Sequence, residues 1–207
     1  MALSDSQIKQ LSSRLQIPLA GVYFKDEIPD KPYFNNLYVI NLESSEDEQG
    51  NPSDGSHWVC FQINKYKNGV IESIYFDPYG VAPPEDVKKF IQKHSGKKII
   101  PYTTKDVQSL MNNACGFFCL ALGHFINSSP YRSGILYEDV NSFMYMFDDL
   151  NESVDWKKNE YILQHFFRSK DPKLRKEIDV IKSTHSITGE NLPGKDLLKI
   201  PVEMKQI

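Results

Sequence analysis

Residues 112–125, NNACGFFCLALGHF, constrain the fold more than any other stretch of the chain. A cysteine-glycine pair opens an apolar run of helical length, with a small polar patch just ahead of it. A helix this apolar has to pack against other elements, and the β-prone segments upstream are the ones that can receive it. Ser4 and Gln7 form a capping box for a short helix in SDSQIKQLSSRL. LAGVYF and NLYVINL read as strands separated by the turn-rich KDEIPDKPYFN. Residues 43–56 are acidic, contain Gly and Pro, and lack apolar period, which predicts an exposed loop. HWVCFQINKY and GVIESIYFD read as a hairpin joined by KN before Gly69. PPEDVKKFIQKHSG has proline near its start and glycine after its end, the marks of a helix. KKIIPY reads as one more short strand, and CGFFCLALGHFIN, YEDVNSFMYMF and DWKKNEYILQHFF as three helices. The pattern predicts an α+β fold in which a central mixed β-sheet is flanked by helices. One domain is expected over residues 1–182, with a polar, Pro/Gly-punctuated tail over 183–207 running along the surface.

Composition narrows the function. The 207 residues suffice for one sizeable domain, and 40% hydrophobic with 25% charged residues suit a soluble globular protein. The apolar runs fall short of a membrane span, and residues 1–20 lack a secretory h-region. A formal charge of -3 argues against a protein that coats nucleic acid. The cluster Lys88, Lys89, Lys93, Lys97 and Lys98 reads as a solvated helix face and its flank. Three cysteines without a C-x-x-C pair suggest neither a disulfide framework nor a zinc site. A monomer with a free thiol, in a reducing compartment and without metal or organic cofactor, is expected.

Cys115 is either a core residue or a nucleophile at a helix start. An isolated cysteine on an apolar helix is usually core, and Cys60 and Cys119 are read that way. Cys115 differs because unpaired N–H groups and the helix dipole favour a thiolate there. Gly116 would leave room for a substrate backbone, and the Cys115 N–H could donate to an oxyanion. Gln108, expected at the surface, would be a second amide donor. A hairpin folded about Lys67 sets His57 opposite Asp77, with Cβ atoms roughly 4.5–5.5 Å apart. A strict two-residue turn at Asn68 and Gly69 would instead slide Asp77 toward Cys60, about 10 Å along the strand. The pairing therefore requires a longer turn or a bulge. A His–carboxylate pair is what a cysteine nucleophile needs as base and orienting group. Each residue also has a plain reading: His57 as a packed residue beside Trp58, and Asp77 as a turn opener before proline. Trp58 is expected to pack beside the imidazole.

GSHWVCF, then YFDPYG, then QSLMNNACGFFC resemble, in that order, the motifs of adenovirus-type (adenain-like) cysteine proteases. The wider group includes the SUMO and ubiquitin-like deconjugases. LAGVYFKDEIP and YVINL are similar to the corresponding segments of maturation proteases from virophages and Polinton-type elements. The resemblance spans roughly residues 19–127. It implies a papain-like, ubiquitin-like-protease-type fold with His57 as base, Asp77 as its orienting acid, Gln108 as oxyanion donor and Cys115 as nucleophile. It also implies a viral endopeptidase that cuts capsid or core precursors, often after small-residue motifs containing glycine. Such an enzyme would work in the virion, the host cytoplasm or the viral factory, and would need an open groove beside Cys115. The chain departs from the adenoviral pattern in having Asp for Glu and no cysteine within residues 95–107. Its mild acidity also departs from activation by nucleic acid. A deconjugase would carry Asp directly before Cys-Gly, where Ala114 stands, and its acid in a different context. A catalytically silent virion component that keeps the fold as a binding module is the alternative from another class.

Overall fold

The strand segments differ in how many buried faces they carry, and that difference sets their places in the sheet. In the computed structural model, which describes residues 3–110, 112–150 and 156–170, β1 (Leu19–Phe24) is half-buried along its length. β2 (Leu37–Asn41) is buried at every residue. β3 (Trp58–Lys65) is buried except at its last two positions, and β4 (Ile71–Phe76) from its third onward. The four strands form one mixed sheet in the order β1-β2-β3-β4. β1 runs parallel to β2, and the other two pairs are antiparallel. A parallel neighbour requires a long crossover, and residues 25–36 supply it.

Alternation along the strands divides the core in two. Leu37, Val39, Trp58, Cys60, Ile74 and Phe76 belong to the cluster shared with α1 (Asp5–Arg14), α3 (Cys115–Ser128), α4 (Leu136–Met144) and α5 (Trp156–Lys170). Tyr38, Ile40, Val59, Phe61, Ile63 and Tyr75 join Val87, Phe90 and Ile91 of α2 (Glu85–Ser95) on the other face. The architecture is α+β, with a mixed sheet between helices. The apolar run is interior, as its composition demands: α3 is buried from Cys115 through Ile126. It lies so close to β2 that a Cβ on Gly123 would stand 2.4 Å from Leu37 Cδ2.

The helix ends follow their sequence signals. Ser4 Oγ accepts from the Gln7 N–H and Gln7 Oε1 from the Ser4 N–H, closing the capping box of α1. Pro84 precedes α2, and Gly96, at φ 70°, ends it by donating its N–H to Gln92 O. On the exposed face of α2, Lys88 pairs with Glu85. The strand expected at KKIIPY is reduced to a single parallel bridge between Tyr75 and Tyr102. Pro101 explains this, because it has no N–H to extend a ladder and offers only its carbonyl to the Tyr75 N–H, at 3.0 Å. Residues 43–56 form the expected loop, with one isolated bridge between Glu46 and Pro52. The tail expected at 183–207 and the domain boundary at 182 lie outside the described residues. No helix among the described residues is long and apolar enough to cross a membrane.

Candidate active site

The β3–β4 hairpin pairs Lys65 with Ile71 and Cys60 with Phe76. Its turn has three residues, Lys67, Asn68 and Gly69. The Tyr66 N–H bonds Val70 O, the Gly69 N–H bonds Tyr66 O, and Gly69 sits at φ 83°. This is longer than a strict two-residue turn, as the pairing required, but the register differs from a fold about Lys67. Continued past the ladder, it sets Asp77 opposite Val59, a same-face step from His57. Both residues lie just beyond the strand ends, and the diagonal is spanned by side chains: His57 Nε2 donates to Asp77 Oδ1 at 2.7 Å. His57 is held from behind as well. Its carbonyl accepts the Leu42 N–H at 3.0 Å. Buried Asn41 fastens both ends of the 43–56 loop through Oδ1, which accepts from Glu43 N–H and Ser56 N–H.

Asp77 opens a turn, and the turn locks its carboxylate. Its carbonyl accepts the Gly80 N–H at 2.8 Å, and its Oδ1 accepts the Tyr79 N–H at 2.9 Å. Gly80 adopts φ 69°, and a Cβ there would stand 2.5 Å from Thr104 O. Both conformation and space therefore call for glycine. The turn also presents Tyr79, whose ring stacks on the His57 imidazole with centroids 4.5 Å apart. Trp58, expected beside the imidazole, instead packs over Gly116 and donates its Nε1–H to Leu3 O at 2.8 Å. Strand alternation is the reason: Trp58 follows His57 directly and points to the α3 face.

Cys115 is the first residue of α3 and is 2% exposed. Asp77 occupies Nε2 of His57, and Cys115 stands close enough to the ring to raise the imidazolium together with Asp77. The helical ladder starts with the Phe118 N–H on Ala114 O, so the N–H groups of Cys115, Gly116 and Phe117 have no helical acceptor. The loop before the helix is braced by Asn112, whose Oδ1 accepts the Ala114 N–H and whose Nδ2 bonds Glu160 of α5. Gly116 does not leave the open approach expected of it. A Cβ there would lie 3.1 Å from Leu3 Cδ1 and 3.4 Å from Trp58 Cδ1, because the segment before α1 covers that side.

Gln108 is 1% exposed, not a surface amide. Its Nε2 donates to Tyr79 Oη and to Asn112 O, each at 3.2 Å, while its Oε1 is buried without a partner. The Gln108 N–H bonds Pro78 O, which ties this loop to the turn carrying Asp77. His57, Asp77 and Cys115 thus meet at one point. Gln108 reaches the same place through Tyr79.

The electrostatics of the base follow from these partners. Burial alone would pull the His57 imidazolium down. Hydrogen bonding and charge from Asp77 and Cys115 outweigh it and push His57 up to about 9. A protonated ring is therefore the resting state of His57 at neutral pH. Cys60 and Cys119 lie in the core, where the Cys119 Sγ–H donates to Trp58 O at 3.5 Å. Burial, then Cys60, push the Cys119 thiol up. Among the described residues no group of three or more His, Cys, Asp or Glu could hold a metal ion.

Two residues near the site carry no role in the sequence reading. Tyr79 had a signal, since the aromatic of an Asp-Pro-aromatic-Gly turn projects beside whatever the aspartate binds. Asn112 belongs to the polar patch ahead of Cys115, but its partner Glu160 is far along the chain. Neither a scan against protein-family models nor a search of curated proteins finds a match to this chain.

Proposed function

We propose that the chain is a cysteine endopeptidase of papain-like, ubiquitin-like-protease type that cleaves capsid or core precursors during virion maturation. The observation that carries the reading is His57 held between the Asp77 carboxylate and a cysteine that begins a buried helix. A thiolate beside an imidazolium needs no further activation to attack a carbonyl. Sγ of Cys115 adds to the scissile carbon. The oxyanion is met by the Cys115 N–H and by the Gln108 amide. Collapse breaks the C–N bond as the imidazolium gives its proton to the departing amine, leaving a thioester. Neutral His57 then takes a proton from water, the hydroxide adds, and the C–S bond breaks to release the acid and restore the ion pair. Asp77 keeps Nε2–H directed at itself, so that Nδ1 is the nitrogen left to work on the thiol and the leaving group.

Cys115 is 2% exposed, and a thiol at that depth suits small residues, glycine above all, just before the scissile bond. The precursor motifs implied by the adenain-like resemblance have that character. The test is to incubate the protein with capsid precursors of its own virus and sequence the new termini. Cleavage after small residues that disappears in Cys115→Ala is the expected result. Intact precursors with wild-type protein, under conditions where Cys115 alkylates readily, would reject the endopeptidase reading.

A further inference from the structure

Tyr79 touches three members of the site with three different parts of itself. Its N–H bonds Asp77, its ring stacks on His57, and its hydroxyl accepts from Gln108 Nε2. The first two contacts fix where the hydroxyl sits. The third bears on an unsolved part of the site, because both Nε2 protons of Gln108 are already engaged, one by Tyr79 Oη and the other by Asn112 O. A carbonyl can only accept, so the amide nitrogen must face Asn112, and Oε1 is left buried and unpartnered. The bond to Asn112 also braces the loop that leads into α3. The Gln108 Nε2 proton that Tyr79 Oη accepts is the one that can pass to a new acceptor.

We propose that Tyr79 is a positioning residue for Gln108: its hydroxyl holds the amide proton in place until the substrate oxyanion accepts it. This rests on the reading of the chain as a cysteine hydrolase. The exchange conserves one hydrogen bond, so the amide is neither left unsatisfied at rest nor required to reorient during reaction. A neutral phenol suits the task, and burial, followed by the charge at Cys115, pushes Tyr79 up and keeps it neutral. A phenylalanine at position 79 would keep the turn and the stack, leaving Gln108 with one donor bond and an orphaned carbonyl free to flip.

Tyr79→Phe separates the hydroxyl from the ring. It should lower kcat about tenfold, a fraction of the loss for deleting an oxyanion donor. KM should stay unchanged, and the alkaline limb near pH 9 should not move, since the stack and the Asp77 bond remain. In Gln108→Met, which keeps the side-chain volume if Gln108→Ala fails to fold, adding Tyr79→Phe should cost nothing further. Unchanged or raised kcat in Tyr79→Phe, losses that multiply in the double variant, or a displaced alkaline limb would each overturn the proposal. The Gln108 side-chain amide gives a readout that needs no turnover. Its proton exchange should quicken in Tyr79→Phe, and equal exchange in the two proteins would also overturn the proposal. A wild-type protein that hydrolyses no peptide removes the hydrolase reading instead, and amide exchange alone then decides the role of Tyr79.

Discussion

Cys115 and Cys119 lie one turn apart on α3, with 2% and 0% of their surface exposed. Burial does not distinguish them; their partners do. Cys119 donates to the Trp58 carbonyl and neighbours Cys60, an arrangement that keeps a thiol protonated. Cys115 faces an imidazole that Asp77 holds in its charged form. One end of the helix therefore meets a charged imidazole and the next turn is hydrophobic core. What sets Cys115 apart is what is brought to it, a histidine and an aspartate from the open end of a hairpin.

The largest expected effect comes from deleting each thiol in turn. Cys115→Ala should reduce peptide hydrolysis by about 10⁴-fold or more, the scale on which nucleophiles fail. Cys119→Ala should leave turnover within about threefold. Mass-resolved alkylation of the native protein should find Cys115 first. Fast labelling of Cys119 with Cys115 protected would abolish the contrast between the two turns.

Asp77→Asn attacks the same contrast from the partner's side. It should lower kcat by roughly 10²–10⁴ through loss of the oriented, charged imidazole. Wild-type kcat/KM should fall above about pH 9 as His57 loses its proton, and in Asp77→Asn that limb should move toward neutral. Stability is linked to the same group. His57 is raised above its unfolded value of 6.5, so its contribution is complete below about pH 6.5 and is lost as pH rises through about 9. Denaturation midpoints should show a loss on the order of 3 kcal/mol across that window, and a much smaller one in Asp77→Asn. A wild-type profile flat from pH 6 to 10 would mean that His57 lacks these partners in solution.

What was legible in the sequence depends on how local the cause is. The hairpin partners, the ends of α2 at Pro84 and Gly96, and the capping box of α1 follow from neighbouring residues, and they stand as the sequence implies. The meeting of His57 with Asp77 was legible because hairpin arithmetic is local too. The diagonal was not, since it turns on Gly69 adopting a left-handed conformation that makes the loop three residues long. Contacts between distant segments were hidden altogether. Leu3 closes over Gly116, Asn112 meets Glu160, and Gln108 is buried under Tyr79. No pattern within any one of these segments announces its partner. KKIIPY failed as a strand for a reason visible in it, the missing N–H of Pro101.

Gly80→Ala should have a smaller effect that still sharpens the comparison. The substitution meets both a left-handed φ and the Thr104 carbonyl, and should cost roughly 2–3 kcal/mol. The turn carries Asp77 and Tyr79, so the damage should reach Cys115 and spare Cys119. Alkylation of Cys115 should change in rate while Cys119 stays protected below the unfolding transition. A variant that melts early yet keeps the wild-type alkylation profile would detach the turn from the site.

The smallest effects belong to the inner thiols. The Cys60 Sγ–H donates to Cys119 O at 3.9 Å, and the Cys119 Sγ–H to Trp58 O at 3.5 Å. Both acceptors are main-chain carbonyls, which survive when the neighbouring side chain is cut back. Each bond is long and each sulfur small, so Cys60→Ala and Cys119→Ala should each cost about 1–2 kcal/mol, mostly as lost packing. Because neither substitution removes the other's acceptor, the double variant should come close to the sum, apart from the contact between the two sulfurs. Turnover should hardly change, since both sulfurs bond main-chain carbonyls within the core. Trp58 links the pair to the site, through its carbonyl bond to Cys119 and its packing against Gly116. Urea denaturation of the two single variants and the double variant, with kcat/KM measured alongside, checks both halves. A tenfold fall in turnover for Cys119→Ala, with stability barely altered, would show that the second turn of α3 belongs to the site.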